Sequence, residues 1–278
     1  MRSRLIFMEV IIQPKKKTRI NWKELWGYRE LFYYFTWRDV KVRYKQTLLG
    51  ASWAIIQPFT TMVVFTLFFN HVAGIKSGSV PYAIFSYTGL LFWNYFASAF
   101  GQISNSLVGN QGVITKIYFP RIIIPTSATL LGLVDFFFAA IVFAGISFYY
   151  HIAPGLEGLL LVIPMLILCL ITALGAGILF ASLNVKYRDV RSIVPFIIQI
   201  GLFLTPVIYP VSLVPHKYQW VLSLNPVSSV INTMRASLLH QGTINWAQLG
   251  ISTLSAVIIL WIGLTYFKHT ERQFADII

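Results

Sequence analysis

The stretch "LLLVIPMLILCLITALGAGILFASL", Leu159 to Leu183, decides the fold class because its 25 residues include no charged side chain. An α-helix rises about 1.5 Å per residue, so about 20 such residues cross a hydrocarbon core ~30 Å thick. A helix also satisfies its own backbone hydrogen bonds, which lipid cannot do. The stretch therefore predicts a membrane-spanning helix.

Similar apolar runs recur along the whole chain, which is 56% hydrophobic and 11% charged, with a mean hydropathy of +0.69. We predict an all-α integral membrane protein with six transmembrane helices in one transmembrane domain, residues 1–278. It comprises an N-terminal region (1–49), a six-span region (50–268) and a tail (269–278). The predicted spans are Gly50–Val72, Pro81–Ser104, Ile122–Tyr150, Leu159–Leu183, Val190–Tyr209 and Gln248–Lys268.

The net charge of +13 is distributed unevenly between the two sides of the predicted membrane. Nineteen basic residues lie in the N-terminal region, the second and fourth connectors and the tail, and only Lys76, Lys217 and Arg235 lie on the other side. Basic residues favour cytoplasmic segments and anionic lipid. The pattern therefore predicts cytoplasmic N- and C-termini and contact with membrane lipids, not with nucleic acid.

The N-terminal stretch "NWKELWGYRELFYYFTWRDVKVRYKQ", Asn21 to Gln46, is aromatic and basic but too charged to span a membrane. Asn21 is a candidate N-cap. The predicted interface-helix residues are Trp22, Leu25, Trp26 and Phe32 on one face, with Arg29 off that face. We expect this amphipathic helix to lie in the cytoplasmic interface. A helix packed on a soluble partner is the alternative.

The connector Val211–Ala247 is too apolar for a solvated loop and is interrupted at Asn225 and Pro226. Two short re-entrant gate helices between spans five and six would satisfy their backbones in the outer leaflet. Prolines in span five predict that it is kinked. The predicted outer gate comprises Pro206, Pro210, Trp220, Asn225 and Pro226.

The sequence contains neither a G-x-x-x-x-G-K-[ST] phosphate loop nor an H-E-x-x-H motif, and Cys169 is its only cysteine. We therefore expect that the chain does not hydrolyse nucleotide by itself and is not an enzyme, and no cysteine cluster suggests a site for a metal or other cofactor. Asp135 is the one acidic residue inside a predicted span, with no second buried carboxylate or basic partner visible. A hydrogen-bonded structural or pore-facing role is favoured over coupling chemistry.

Aromatic side chains make up 16% of the chain and are spread through the predicted spans. Lipid contact and interface anchoring explain part of this pattern. Flat rings also stack on sugar rings without gripping any one unit, which suits the passage of a polymer. The candidate channel-lining residues are Trp53, Tyr87, Trp93, Tyr95, Asp135 and Phe203.

Four blocks of sequence resemble the permease subunits of ABC-2-type exporters of polysaccharides and polyol-phosphates, the O-antigen and teichoic-acid exporters. They are "WRDVKVRYKQTLLGASWAIIQP" (Trp37–Pro58), "TKIYFPRIIIP" (Thr115–Pro125), "LNVKYRDVRSIVPFIIQIGLFLTPVIYP" (Leu183–Pro210) and "LNPVSSVI" (Leu224–Ile231). These blocks occur in the family's order, and the range from the first to the last, Trp37 to Ile231, extends over most of the chain.

The resemblance implies a six-span half-transporter of the bacterial cytoplasmic membrane that forms a homodimer around a channel. It also implies two separate ABC ATPase subunits and an undecaprenyl-linked polysaccharide substrate. In such permeases the first cytoplasmic connector docks on the ATPase subunit, which holds ATP and Mg, and this connector corresponds to Asn110–Tyr118 here. The expected coupling residues of this connector are Asn110, Gln111, Val113, Ile114, Lys116, Ile117 and Tyr118. We expect Arg188 and Asp189, on the other cytoplasmic connector, to lie beside it. They could pair with the ATPase or with the interface helix, or anchor in lipid headgroups.

Two other functions are compatible with parts of the pattern. An ABC-2 permease could export a small lipid or drug instead of a polymer. An ion-coupled secondary carrier is a third hypothesis, although no internal repeat supports it. The identity of the polymer and its capping are not encoded in any motif of the sequence, nor is a carbohydrate-binding domain on the ATPase.

Overall fold

A computed structural model of the chain describes residues 22–45, 52–271 and 274. These residues form helices joined by short connectors, with no strand among them. In chain order the α-helices are α1 (Trp22–Gly27), α2 (Arg29–Lys45), α3 (Ser52–Phe65), α4 (Tyr82–Gly109), α5 (Gln111–Ile114), α6 (Ile123–Tyr149), α7 (Leu156–Lys186), α8 (Val190–Leu204), α9 (His216–Leu224), α10 (Pro226–Leu238) and α11 (Trp246–Thr270). A π-helical segment, Thr66–Val72, extends α3, and a 3₁₀ turn, Val211–Leu213, precedes α9.

Helix α4 is the central helix of the bundle. Pro81 precedes its first turn, where the lack of a backbone N–H on proline removes no hydrogen bond of the helix. The helix then continues for 28 residues. It packs against α6 and α7, with α10 beside it and with α3 and α8 on its flanks. The residues from Tyr82 to Trp93 are all buried, so this half of α4 forms much of the core.

Four helical segments of the described chain are long and apolar enough to cross a membrane. They are Ser52–Val72, Ile123–Tyr149, Leu156–Lys186 and Trp246–Thr270. Helix α4 is longer than most of them but carries more polar residues, and α8 has only 15 residues. The structure therefore confirms the prediction of an all-helical chain with several apolar helices suited to a membrane.

Helices α7 and α11 approach each other closely at two glycines. A Cβ atom added to Gly175 would lie 2.6 Å from the Cα atom of Leu260, and a Cβ atom on Gly263 would meet the carbonyl of Gly175. Small residues allow such backbone contact between membrane helices, where packing replaces the hydrophobic effect as the source of stability.

The substitution Gly175→Ala is expected to lower the thermal unfolding temperature of the purified protein in detergent, because overpacking of this kind costs about 1–3 kcal/mol. Gly145→Ala is the matched control, since a Cβ atom there would meet nothing within 4 Å. A higher unfolding temperature for the Gly175 variant than for the Gly145 variant would contradict the close approach of α7 and α11.

Candidate coupling surface and translocation path

The connector between α4 and α6 is anchored to the protein by two buried apolar side chains. Ile114, at the end of α5, and Phe119 are both buried, and the ring of Phe119 lies 5.9 Å from the ring of Phe35 on α2. This arrangement fixes the connector without using the side chains between its two anchors.

A chain of polar contacts fixes the start of the same connector. Arg38 of α2 donates from Nη2 to Asn110 Oδ1 at 2.8 Å, and Asn110 Nδ2 donates to the carbonyl of Ser106 at 2.8 Å. Arg38 also pairs with Asp39 at 2.7 Å. Of the residues predicted to form the coupling surface, Asn110 and Ile114 therefore face the protein in this conformation and hold the connector in place.

The side chains between the two anchors face outwards. Tyr118 is 83% exposed and Ile117 is 61% exposed, and Lys116 and Gln111 are exposed beside them, while Val113 is half-buried. Large apolar side chains held in solvent by a well-anchored loop are typical of a protein-docking surface. We name Gln111, Lys116, Ile117 and Tyr118 the docking surface.

Arg188 and Asp189, predicted to lie beside the docking surface, are exposed in the connector between α7 and α8. Their side chains make no hydrogen bond or ion pair within the part of the chain that the structure describes. The structure thus does not join them to α2 or to the docking surface, and both remain available at the protein surface.

One contact of the connector between α4 and α6 is not indicated by the sequence. Arg121 donates to the carbonyl of Glu271, and its guanidinium lies 5.9 Å from the ring centroid of Phe274. Phe274 in turn packs on Phe267 of α11. Burial raises the pKa of the Glu271 carboxyl above its ordinary value, with Arg121 and Lys268 acting in the opposite direction. The end of α11 thus supports the connector.

The predicted interface helix is two helices, α1 and α2, separated at Tyr28. Leu25 and Phe32 pack towards the core, whereas Trp26 is exposed and Arg29 is exposed on the adjacent turn. Trp26 therefore does not share the core-facing side of Leu25 and Phe32. Asn21 and the side chain of Trp22 lie outside the described residues.

Asp135 lies on α6 and has two partners on α2. Arg43 Nη2 lies 2.7 Å from Asp135 Oδ2, and the Tyr44 hydroxyl donates to Asp135 Oδ1 at 2.5 Å. Burial, followed by the bond to Asp135, raises the pKa of Tyr44. The expectation that Asp135 has no basic partner is corrected: its partner comes from the N-terminal region instead of from another predicted span.

A cavity of ≈ 840 Å³, the inner cavity, opens between α3, α4 and α6 and contains this ion pair. Three of the predicted channel-lining residues, Trp53, Tyr95 and Asp135, line it together. Two others do not: Tyr87 is fully buried with its hydroxyl donating to the carbonyl of Ala139, and Trp93 is buried against α8 at Gly201. These two rings cannot contact a polymer in this conformation.

Two further openings adjoin the inner cavity. A cavity of ≈ 580 Å³, the lateral cavity, lies between α4 and α8. An apolar groove of ≈ 590 Å³ lies between α3 and α6, nearer their C-terminal ends, with Phe59 and Tyr149 among its lining residues. Phe203, the sixth predicted channel residue, is exposed on α8 and lines none of these three openings.

The predicted outer-gate residues lie around the start of α10. Asn225 caps that helix by accepting from the Val227 N–H at 3.1 Å, Pro226 occupies its first turn, and Asn225 Nδ2 donates to Thr205 Oγ1 at 2.9 Å. Pro210 precedes the 3₁₀ turn and Trp220 is exposed on α9. The two short helices predicted for this region are present as α9 and α10.

Arg235, which was not among the predicted gate residues, is a structural residue of this region. It is 3% exposed, and it donates to the carbonyls of Phe85, Pro206 and Val207 at 3.2, 2.5 and 2.6 Å. Its guanidinium also lies 3.5 Å from the centroid of the Phe85 ring. The sequence signal for this role was a basic residue in an apolar stretch that has no acidic residue close to it in the sequence.

No three His, Cys, Asp or Glu side chains of residues 22–45, 52–271 and 274 gather where they could hold a metal ion. Cys169 is buried in the core. The described residues of the site offer hydrogen bonds, ring faces and the ion pairs Arg38–Asp39 and Arg43–Asp135.

Comparison with known proteins identifies the family of this chain. Residues 30–239 match the ABC-2 type transporter family, and the chain belongs to that family. It is 30% identical, over 90% of its length and 95% of the relative's, to the O-antigen export system permease protein RfbA of Klebsiella pneumoniae. A protein of the same name from Myxococcus xanthus is 27% identical over 91% and 97% of the two chains. The polysialic acid transport protein KpsM of Escherichia coli is 21% identical over 84% and 91%.

Proposed function

We propose that this chain is the transmembrane permease subunit of an ATP-driven exporter that moves a lipid-linked polysaccharide across the bacterial cytoplasmic membrane. The observation that carries the proposal is the 30% identity to an O-antigen export permease over 90% of the chain. The exposed docking surface supports it, because a permease driven from outside needs a rigid surface on which a motor can act.

The proposal includes six spans, formed by α3, α4, α6, α7, α8 and α11. Helix α4 has 28 residues, about 42 Å at 1.5 Å per residue, and its polar residues can be accommodated because other helices surround it. Helix α8 is short, and its exposed apolar residues Phe196 and Phe203 suit lipid or a second copy of the chain. With six spans, the distribution of basic residues supports cytoplasmic N- and C-termini.

Helices α9 and α10 form the re-entrant outer gate of this proposal. They are too short to cross a membrane, at 9 and 13 residues, and α10 is almost completely buried. Arg235 ties α10 to the chain that follows α8, at the carbonyls of Pro206 and Val207. A movement of α8 would therefore be transmitted to α10.

The proposed assembly contains two copies of this chain and two ATPase subunits, which hold ATP and Mg. The sequence contains no phosphate loop of its own. The docking surface on the cytoplasmic side is therefore the proposed site at which ATP hydrolysis in the ATPase subunits acts on the permease. A two-fold axis would place two inner cavities around one path, wider than one protomer can enclose.

A second candidate function, export of a small lipid, is favoured by one observation. The groove between α3 and α6 is lined almost completely by apolar side chains, including Phe59, Met62 and Val63, and it has room for a hydrocarbon chain. A lipid-linked polysaccharide carries such a chain too, so the groove fits both functions. The similarity to O-antigen export and polysialic acid transport proteins favours the polysaccharide.

Reconstitution separates these functions. The chain, co-expressed with its ATPase subunit and assembled in proteoliposomes, is expected to translocate a radiolabelled lipid-linked glycan only when ATP is supplied. Transport of short-chain lipid alone, with no glycan translocated, would identify the small-lipid exporter. Activity of the chain without the ATPase subunit, driven by a proton gradient, would identify an ion-coupled carrier and exclude both ATP-driven functions.

A further inference from the structure

One face of α4 carries a row of neutral polar side chains. Asn94, Ser98, Gln102 and Asn105 are spaced by four, four and three residues, which keeps them within an arc of about 80° and over about 16 Å of helix. All four are at least partly exposed, whereas most other residues of α4 are buried. We name these four residues the polar stripe.

The polar stripe lies between two helices that each contribute an amide. Gln57 of α3 lines the inner cavity with Asn94, and Gln199 of α8 lines the lateral cavity with Gln102 and Asn105. The two cavities meet, because Arg43, Ala97 and Ser98 line both. A continuous path of hydrogen-bonding groups thus runs along α4 between α3 and α8.

Several of these groups are not used by the protein itself. The side chains of Asn94, Gln57 and Gln199 make no hydrogen bond to any residue that the structure describes. Gln102 donates to Ser98 Oγ at 2.7 Å, which leaves its carbonyl oxygen open to another donor. Uncommitted amides at membrane depth cost free energy unless water or a ligand bonds them, so they indicate a wet path.

The charges along the path decide which ligand suits it. Among the residues that the structure describes, Arg43 and Asp135 are the charged ones that line the two cavities, and they pair at 2.7 Å, so they largely neutralise each other. A polymer of phosphates would favour a row of unpaired cations. An amide offers both a hydrogen-bond donor and an acceptor, as a sugar hydroxyl does. Each sugar of a moving polymer can therefore exchange its hydrogen bond with one neutral amide for a hydrogen bond with the next.

We propose that the polar stripe, with Gln57 and Gln199, is the surface along which the hydroxyl groups of the exported glycan bind and slide. This inference rests on the proposed function and assigns it a site. It also favours a sugar polymer over a polyol-phosphate. The ring of Trp53, which is 54% exposed and lines the inner cavity beside the stripe, adds a stacking surface for the same sugars.

Cysteine labelling tests the location of the glycan. Asn94→Cys and Gln102→Cys are introduced in the full complex with its ATPase, where the native Cys169 is buried and serves as the background. A charged methanethiosulfonate reagent is expected to label both cysteines in inverted membrane vesicles. Labelling is expected to be at least three times slower in vesicles from glycan-producing cells than in vesicles from cells blocked in glycan synthesis.

Thr265→Cys on α11 is the control, because Thr265 is exposed on the outside of the bundle and bonds only its own helix. We expect a charged reagent to label it poorly and equally in both kinds of vesicle. Equal labelling of the two stripe cysteines with and without glycan would overturn the inference.

Export of the double variant Asn94→Leu, Gln102→Leu tests the role of the stripe. Surface glycan is expected to fall about tenfold while the complex still assembles, and Thr265→Val is expected to leave export unchanged. Normal export by the double variant would show that the stripe is not the glycan path, although the proposed function would stand. Failure of the unaltered complex to export any glycan would remove the proposed function and this inference together.

Discussion

Replacing Tyr118 by aspartate is expected to separate the permease from its ATPase subunit without unfolding it. Tyr118 is 83% exposed and makes no contact that the fold requires, so its loss cannot destabilise the core. Truncation of an aromatic residue at the centre of a protein interface costs about 2 kcal/mol or more, which corresponds to about 30-fold weaker binding. Co-purification of the two subunits and the ATPase activity of the complex measure this effect.

The neighbouring substitutions make the test specific. Ile117→Asp should act in the same way, whereas Tyr118→Phe keeps the ring and should retain assembly. Tyr218→Asp alters an exposed tyrosine on α9, far along the chain from the docking surface, and is expected to leave assembly unchanged. If Tyr118→Asp and Ile117→Asp both leave assembly and ATP turnover intact, the docking surface lies elsewhere.

Replacing Arg235 by methionine is expected to lower the stability of the folded chain more than any surface change. Arg235 donates to three backbone carbonyls and lies over the Phe85 ring, and it is fully buried. Hydrogen bonds to a charged group contribute about 1.5–3 kcal/mol each, so the loss is about 4 kcal/mol or more. At about 2–4 °C per kcal/mol for a chain near this size, the unfolding temperature should fall by about 10 °C.

Two variants distinguish the loss of the Arg235 hydrogen-bond network, its three bonds to backbone carbonyls, from the loss of a positive charge alone. Arg235→Lys keeps the cation but loses the planar fork that reaches carbonyls on separate segments, and an intermediate unfolding temperature is expected. Lys217→Met removes an exposed cation near the ring of Tyr218, and no measurable change is expected. An unfolding temperature for Arg235→Met within a degree of the unaltered chain would refute the network's role.

The helices were predictable because hydrophobicity is a local property. The runs at Leu159–Leu183 and Gln248–Lys268 appear in the structure as the long helices α7 and α11. The break between α9 and α10 was also predictable, since Asn225 and Pro226 form an N-cap followed by a first-turn proline. Each of these signals lies within a few residues of the feature that it specifies.

Contacts between distant segments could not be predicted in this way. Asp135 and Tyr44 are 91 residues apart, and Arg235 and Phe85 are 150 apart. Nothing in the local pattern around Asp135 shows that Arg43 reaches it. The same limit explains the aromatic residues: Tyr87, Trp93 and Tyr95 were predicted to line a channel, but packing against neighbouring helices buries all three rings.

Helix α2 touches the docking surface's connector at one end and the inner cavity at the other. Phe35 and Arg38 contact the connector, and Arg43 and Tyr44 contact Asp135. From Arg38 to Arg43 is about 7.5 Å of helix, and each added or removed residue turns everything beyond it by about 100°. The segment 39–42 is therefore constrained in length more than in composition. Insertion or deletion of one residue would rotate Arg43 and Tyr44 away from Asp135 while Phe35 and Arg38 still contact the connector.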